Sequence, residues 1–174
     1  MRNKGILKNS LRVTFFLLLL VFALLANGSF KEIRGQDSST LAPDFALSDL
    51  EGNTVWLSNF KGKVIILDFW ATWCSPCLQE IPHFVELYEK YQDDGFQMIG
   101  IAISSGSSKN VKKFATEHEI NYLILMGNRQ VTRKYGGIYG IPTTFLIDRQ
   151  GRIVKKYIGY QPKEVFEKDL KSLF

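Results

Sequence analysis

Residues 64–77 read VIILDFWATWCSPC and join a continuous apolar run to a pair of cysteines. The run from Val64 to Trp70 contains only one polar residue, Asp68, which is typical of a β-strand buried on both faces. Residues 75–92 then place apolar side chains three and four positions apart, which predicts an amphipathic helix. The cysteines therefore lie where a buried strand is followed by a helix.

Cys74 and Cys77, the two cysteines of the chain, form one Cys-x-x-Cys motif. Unpaired backbone N–H groups and the helix dipole stabilise an anion at a helix N-terminus, so the thiolate form of Cys74 is favoured there. Cys77 is expected under the first turn and more buried. Two intervening residues at a helix start keep the two sulfur atoms within reach of a disulfide bond. The motif therefore predicts a redox-active dithiol.

Other uses of a cysteine pair fit the sequence less well. A zinc site would need two more ligands, and His83 and His118 lack the usual spacing. A haem-attachment motif requires His after the second cysteine, where this chain has Leu78. A purely structural disulfide that closes so short a loop would add little stability. A peroxidatic cysteine is the nearest alternative, but the peroxiredoxin positions for Thr or Ser and for Pro hold Ala71 and Leu67.

The rest of the chain alternates predicted strands and helices. Residues 45–50 and 54–57 flank Glu51-Gly52-Asn53 as a β-hairpin. The later segments are predicted as strand 96–103, helix 110–118, strand 122–126, helix 129–135, strands 143–147 and 152–157, and helix 162–174. Strands that alternate with helices and end in an antiparallel pair predict an α/β fold with a mixed central sheet.

The positive charge of the chain is concentrated at its N-terminus. Lys+Arg outnumber Asp+Glu by 22 to 17, and the first twelve residues hold four of these cations and no acid. Without them the net charge falls from +5 to +1. The basic character therefore does not indicate a nucleic-acid-binding surface.

An apolar run, VTFFLLLLVFALLA, follows this basic head at residues 13–26. As a helix it would span about 21 Å, which is short of a hydrocarbon core of about 30 Å. We therefore predict that residues 1–28 are a signal peptide or an N-terminal membrane anchor. Residues 29–40 are predicted as a polar linker and residues 41–174 as the folded domain.

Several segments resemble known families. DFWATWCSPC at residues 68–77 resembles the active-site segment of thioredoxin-fold proteins, and GIPT at residues 140–143 resembles their cis-proline loop. Further segments resemble the TlpA/ResA-type thiol-disulfide oxidoreductases: PDF at 43–45, FKGK at 60–63, and PTTFLID at 142–148 followed by Gly151. The resemblance implies a thioredoxin-like fold with an N-terminal β-hairpin and a central βα insertion.

The resemblance also implies how a substrate would meet the cysteines. It implies a cis Ile141–Pro142 peptide bond beside them, with the backbone of Ile141 available to an extended substrate segment. Trp73 is expected to shield the site and to form part of the docking surface, whereas Trp70 is expected in the core. The residues predicted to bind substrate are Trp73, Ser75, Pro76, Ile141 and Pro142.

Two acids are predicted to act with the cysteines. Asp68 matches a buried Asp of thioredoxins, whereas TlpA/ResA-type proteins often have Asn there and a Glu that matches Glu80; this chain has both acids. We expect one or both to accept the proton of Cys77, titrating as a coupled set. The alternatives are that Asp68 faces water and that Glu80 is a solvated acid of the first helical turn. His83 is predicted to be a surface or capping residue.

Together with the resemblance, these residues predict an exported thiol-disulfide oxidoreductase that acts on protein substrates as a reductant. The resemblance suggests apocytochrome c as a substrate and a membrane protein as electron donor. The alternatives are a thiol peroxidase of peroxiredoxin type and a non-catalytic redox-sensing module on the same fold. We expect a monomer in the bacterial periplasm or at the extracytoplasmic membrane face, attached only through its N-terminal segment, without metal, other cofactor or nucleic acid.

Overall fold

The strand that precedes the cysteines is the central strand of a five-stranded sheet. The computed structural model describes residues 40–174. The strands are β1 (Ala46–Ser48), β2 (Thr54–Trp56), β3 (Val64–Trp70), β4 (Phe96–Ala102), β5 (Leu123–Met126), β6 (Thr143–Ile147) and β7 (Ile153–Ile158). The helices are α1 (Ser75–Tyr91), α2 (Ser108–Glu117), α3 (Arg129–Lys134) and α4 (Lys163–Lys171), with 3-10 turns at Leu57–Phe60 and Gln92–Asp94.

The sheet is mixed and has the strand order β5-β4-β3-β6-β7. β3 is parallel to β4, and β4 to β5, whereas β6 is antiparallel to both β3 and β7. The unit α2–β5 contributes the edge strand β5, and β1 and β2 form a separate hairpin. The predicted thioredoxin-like fold with its N-terminal hairpin and central βα insertion is therefore confirmed.

Every residue of β3 is buried because the sheet is covered on both faces. On one face, Ile66 and Trp70 pack with buried residues of α1, α2 and α4. On the other face, Leu67 and Phe69 pack with residues of the hairpin and α3, and the Phe69 ring lies 5.4 Å from the ring of Tyr135. The two layers hold the end of β3, and therefore the cysteines that follow it, in a fixed position.

The predicted elements are all present, with small differences at their ends. α2 begins two residues earlier than predicted, at Ser108, because the side chain of Ser107 caps it by accepting the backbone N–H of Asn110. α4 begins at Lys163, since Pro162 occupies the N-cap position. The segments predicted at residues 1–28 and, except for Thr40, at residues 29–40 lie outside the described residues. Within residues 40–174, no helix is both long and apolar enough to cross a membrane.

Candidate active site

The two cysteines form a disulfide bond at the N-terminus of α1. Cys74 is the N-cap residue, and its sulfur accepts the backbone N–H of Cys77 at 3.3 Å. This contact places the Cys74 sulfur where helix N–H groups stabilise a thiolate. Cys74 is 4% exposed and Cys77 is 1% exposed, so both sulfurs are well covered in the disulfide state. Cys77 is more buried than Cys74, as expected, but the difference is small.

The loop that contains Pro142 lies at the same end of the sheet. Thr143 of β6 pairs with Phe69 of β3, so Pro142 lies next to the end of β3 from which the chain continues to Cys74. The Ile141–Pro142 peptide bond is cis, as the resemblance implies. The backbone N–H of Gly159, just after β7, donates to the carbonyl oxygen of Pro142 at 2.8 Å and fixes the loop from the other side.

Exposed side chains surround the disulfide. Trp73 is 66% exposed, and its indole N–H donates to the carbonyl oxygen of Ser104 at 2.9 Å, which ties it to the loop after β4. Ser75 and Pro76 are also exposed. Trp70, in contrast, is 1% exposed, which confirms its predicted core position. Trp73 therefore flanks the site as an exposed aromatic surface.

Asp68 is buried inside the sheet layer. It is 3% exposed, and its Oδ1 atom accepts the hydroxyl of Thr144 at 3.0 Å. Burial raises the pKa of Asp68 well above its usual range, the negative charge of Glu80 raises it further, and the hydrogen bond from Thr144 opposes both effects. The interpretation in which Asp68 faces water is therefore wrong.

Glu80 lies on the buried stripe of α1, three residues after Cys77. Its Oε1 atom accepts the backbone N–H of Gln161 at 2.6 Å, and its Oε2 atom has no hydrogen-bond partner among residues 40–174. Burial raises its pKa to about 7, against the lowering effect of the bond from Gln161. The alternative of a solvated first-turn acid is wrong, because Glu80 is fully buried.

Sequence patterns alone missed three groups that contact or influence these acids. Thr144 donates to Asp68, and the backbone of Gln161 donates to Glu80. Tyr122 is buried, and its pKa is raised well above its usual value by burial and then by the charges of both acids. The Thr144 position follows from strand register, since Asp68 pairs with Thr144 on one side and with Gly100 on the other.

Gly100 makes room for two rings over Asp68. A Cβ atom at this position would lie 2.8 Å from the Trp70 indole nitrogen and 3.3 Å from a ring carbon of Tyr122. Glycine therefore allows both aromatic side chains to approach the strand opposite Asp68. Asp68, which pairs with Gly100, is itself buried, and this burial is the largest cause of its raised pKa.

Two surface clefts lie away from the disulfide. One of about 390 Å³ is lined by residues that include Leu57, Phe60 and Ile147. The other, of about 320 Å³, lies between the hairpin and α3. Neither includes a residue of the Cys74–Cys77 site. Within residues 40–174, no cluster of three or more His, Cys, Asp or Glu side chains is placed to bind a metal ion.

Comparisons with known proteins agree with this geometry. Residues 39–156 match the AhpC/TSA family. The thiol-disulfide oxidoreductase ResA of Geobacillus thermodenitrificans is 38% identical over 92% of this chain and 93% of its own length. ResA of Bacillus subtilis is 35% identical over 84% of this chain and 83% of its own length.

A solved structure agrees as well. The crystal structure of a thiol:disulfide interchange protein of the thioredoxin family from Chlorobium tepidum superposes with a TM-score of 0.72 at 34% identity. The match covers 78% of this chain and 96% of that protein. The chain therefore belongs to the AhpC/TSA family and to the ResA-like thiol-disulfide oxidoreductases, which have the thioredoxin fold.

Proposed function

We propose that the protein uses Cys74 and Cys77 to reduce disulfide bonds of exported proteins. The observation that carries the proposal is Glu80, a buried acid three residues after Cys77 whose pKa is about 7. A carboxyl group with this pKa exists in both protonation states near neutral pH, so it can take a proton from a thiol and return it. Because Glu80 is buried and follows Cys77 on α1, it is well placed to accept the proton of Cys77 when Cys77 resolves the mixed disulfide.

The reaction begins with the dithiol form of the protein. The thiolate of Cys74 attacks one sulfur of the substrate disulfide, and the other substrate sulfur leaves as a thiolate. Cys77 then loses its proton to Glu80 and attacks the Cys74 sulfur. The bond between Cys74 and the substrate breaks, and the second substrate thiolate leaves. The products are a substrate dithiol and the Cys74–Cys77 disulfide, the state in which the structure holds the two cysteines.

Glu80 is proposed as the first proton acceptor and Asp68 as the second. Burial raises the pKa of Asp68 well above its usual range, and the charge of Glu80 raises it further, so ionisation of Glu80 disfavours ionisation of Asp68. The two acids are therefore proposed to titrate as a coupled pair.

The exposed side chains around the disulfide form the proposed docking surface for substrate. One side of this surface is formed by the exposed residues Trp73, Ser75 and Pro76. Ile141 and Pro142 provide the backbone and the ring that lie beside the end of β3 on the other. An extended segment pairing with the backbone of Ile141 would bring its disulfide to Cys74.

The proposed location is the periplasm or the extracytoplasmic face of a bacterial membrane. The basic head and the apolar run of residues 1–28 support export. The resemblance to TlpA/ResA-type proteins supports the reductive direction, with apocytochrome c among the substrates and a membrane protein as electron donor. The near-neutral charge after residue 28 gives no reason to expect nucleic acid as a partner, and we propose a monomer.

Substitution of the resolving cysteine tests the chemistry. Cys77→Ser should trap substrate proteins as stable mixed disulfides on Cys74, visible as conjugates on non-reducing gels. Cys74→Ser is the matched control and should trap none. Conjugates only with Cys74→Ser would reverse the two roles. Exchange too slow to follow with any disulfide would favour the redox-sensing alternative, and a sulfenic acid on Cys74 with stoichiometric loss of peroxide would favour the peroxidase.

A redox titration tests the direction. A reduction potential of about −270 mV, as in thioredoxin, would support the proposal that the protein acts as a reductant. A potential near about −120 mV, as in strong periplasmic oxidants, would reverse the assignment.

A further inference from the structure

Glu80 and His83, three positions apart on α1, each carry one buried polar atom without a partner among residues 40–174. The Oε2 atom of Glu80 and the Nδ1 atom of His83 are both buried, and neither has a hydrogen-bond partner among residues 40–174. Residues three positions apart are neighbours on a helix surface. Buried polar atoms in folded proteins are nearly always paired with a protein group or an ordered water. Two unpartnered polar atoms on neighbouring side chains indicate room for a bridging group between them.

One segment of the chain, between β7 and α4, contacts both residues. Gln161 donates its backbone N–H to the Oε1 atom of Glu80 at 2.6 Å. The ring of the preceding residue, Tyr160, lies 6.1 Å from the ring of His83. Tyr160 is 41% exposed and His83 is half-buried, so this side of the pair reaches solvent. Cys77, Glu80 and His83 thus follow one another at intervals of three residues along α1, from the buried cysteine to the half-buried histidine.

We propose that His83 carries protons between Glu80 and solvent, through a water molecule bound between the Oε2 atom of Glu80 and the Nδ1 atom of His83. This inference rests on the function proposed above. When Cys77 resolves a mixed disulfide, its proton moves to Glu80, its sulfur bonds to Cys74, and the substrate thiolate leaves. Before that step, His83 takes from Glu80 the proton that this carboxyl holds near neutral pH and releases it to solvent, so that Glu80 is free to accept the proton of Cys77.

Imidazole is suited to this position because it accepts a proton on one nitrogen and releases one from the other near neutral pH. Burial raises the pKa of Glu80 to about 7, so this carboxyl gains and loses protons in the range where histidine does. His83 touches neither the sulfur atoms nor the substrate in this scheme. It acts through Glu80 and is a positioning residue.

Other titratable groups also face the pair. Glu86, one turn beyond His83 on α1, is bonded to Lys163 of α4, and this bond, more than the charge of His83, lowers the pKa of Glu86. The groups that interact with Glu80 or His83 are Asp68 on β3, Tyr122 before β5, Tyr160 before α4 and Glu86 on α1, and Lys163 acts on them through Glu86. The test must therefore separate the effect of His83 from theirs.

The test compares His83→Gln with His118→Gln, which is a matched control because the chain has two histidines. His118 lies at the end of α2, with its ring stacked 4.0 Å from that of Phe114. The full-length reduced protein, in mild detergent, is mixed with the chromogenic disulfide dithiobis-nitrobenzoate. Attack by Cys74 releases one coloured thiolate and resolution by Cys77 releases a second, so stopped-flow absorbance follows both steps from about pH 5 to 9.

His83→Gln should slow the second release about tenfold at pH 7 without changing the first. Added imidazole should restore the rate, and His118→Gln should change neither step. In a Glu80→Gln background, His83→Gln should have no further effect. A second release that His83→Gln leaves unchanged overturns the inference. So does an effect that imidazole does not rescue, or one equally large in the Glu80→Gln background. Absence of any second release from the unsubstituted protein would instead refute the proposed function.

Discussion

Acidic side chains in two regions of the molecule have pKa values shifted in opposite directions. Asp68 and Glu80 lie buried near Cys77, and among residues 40–174 neither forms an ion pair; burial raises the pKa of both. Glu167, on α4, accepts hydrogen bonds from Lys90, Tyr91 and Lys171, which lower its pKa to about 2. A carboxyl group near Cys77 can therefore gain and lose a proton at neutral pH, whereas the carboxyl group of Glu167 on α4 stays ionised there.

The two regions also make opposite contributions to stability as pH changes. Glu167 has a folded-state pKa below its ordinary value of 4.5, so its stabilisation is present above pH 4.5 and is lost as pH falls toward about 2. Glu80 has a folded-state pKa above 4.5, so its contribution is complete below that pH and is lost as pH rises through about 7. The buried acid thus lowers stability at neutral pH, where it is useful to the proposed chemistry.

The largest effect is expected from removal of the buried acid on α1. Glu80→Gln should slow the Cys77-dependent step about 100-fold at pH 7 to 8 and remove the rate change centred near pH 7, because the proposed proton acceptor is lost. Stopped-flow rates across pH measure this. Glu89→Gln is the matched control, since Glu89 is an exposed acid on the same helix, and its profile should match that of the unsubstituted protein. An unchanged pH profile in Glu80→Gln would leave Asp68 as the acceptor.

A smaller effect is expected at the buried acid of β3. Asp68→Asn should slow the same step about tenfold, while the rate change near pH 7 remains, because this variant keeps Glu80, the proposed first proton acceptor. The amide keeps the size of the side chain and can still accept the hydroxyl of Thr144. Loss of the transition near pH 7 in this variant would show that Asp68 is the group that titrates there.

The smallest effect on the redox reaction is expected at α4. Glu167→Gln should change the exchange rate less than about twofold, yet lower the free energy of unfolding by about 1 kcal/mol at pH 7, because it weakens the contacts with Lys90 and Tyr91. Urea denaturation of the oxidised protein at several pH values measures this. The loss of stability between pH 4.5 and 2 should become shallower in this variant. Unaltered acid sensitivity would mean that Glu167 does not stabilise this region.

Local sequence was sufficient where structure depends on near neighbours along the chain. The apolar run of β3 and the spacing of α1 were predictable because periodicity reports burial directly. The position of Cys74 at the helix N-cap followed from the same two elements. The ends of α2 and α4 were less predictable, since a single cap residue decides them.

Contacts between distant parts of the chain could not be predicted in the same way. The bond between Thr144 and Asp68 joins residues 76 positions apart, and it depends on the register of β6 against β3. The bond from Gln161 to Glu80 spans 81 positions and depends on how the β7–α4 connection packs on α1. Neither register nor packing is visible in a local pattern, so the sequence left open whether the two acids were solvated.

The sequence by itself therefore determined the order of strands and helices, the pair of cysteines at a helix start, and the two candidate acids. Those features depend on residue type and short-range spacing. Only the tertiary structure decided that both acids are buried, that one buried oxygen of Glu80 has no partner among residues 40–174, and that Glu167 contacts Lys90 and Lys171. The physical reason is that a carboxyl group's pKa depends on the water and charges around it, and these are set by residues far away in the chain.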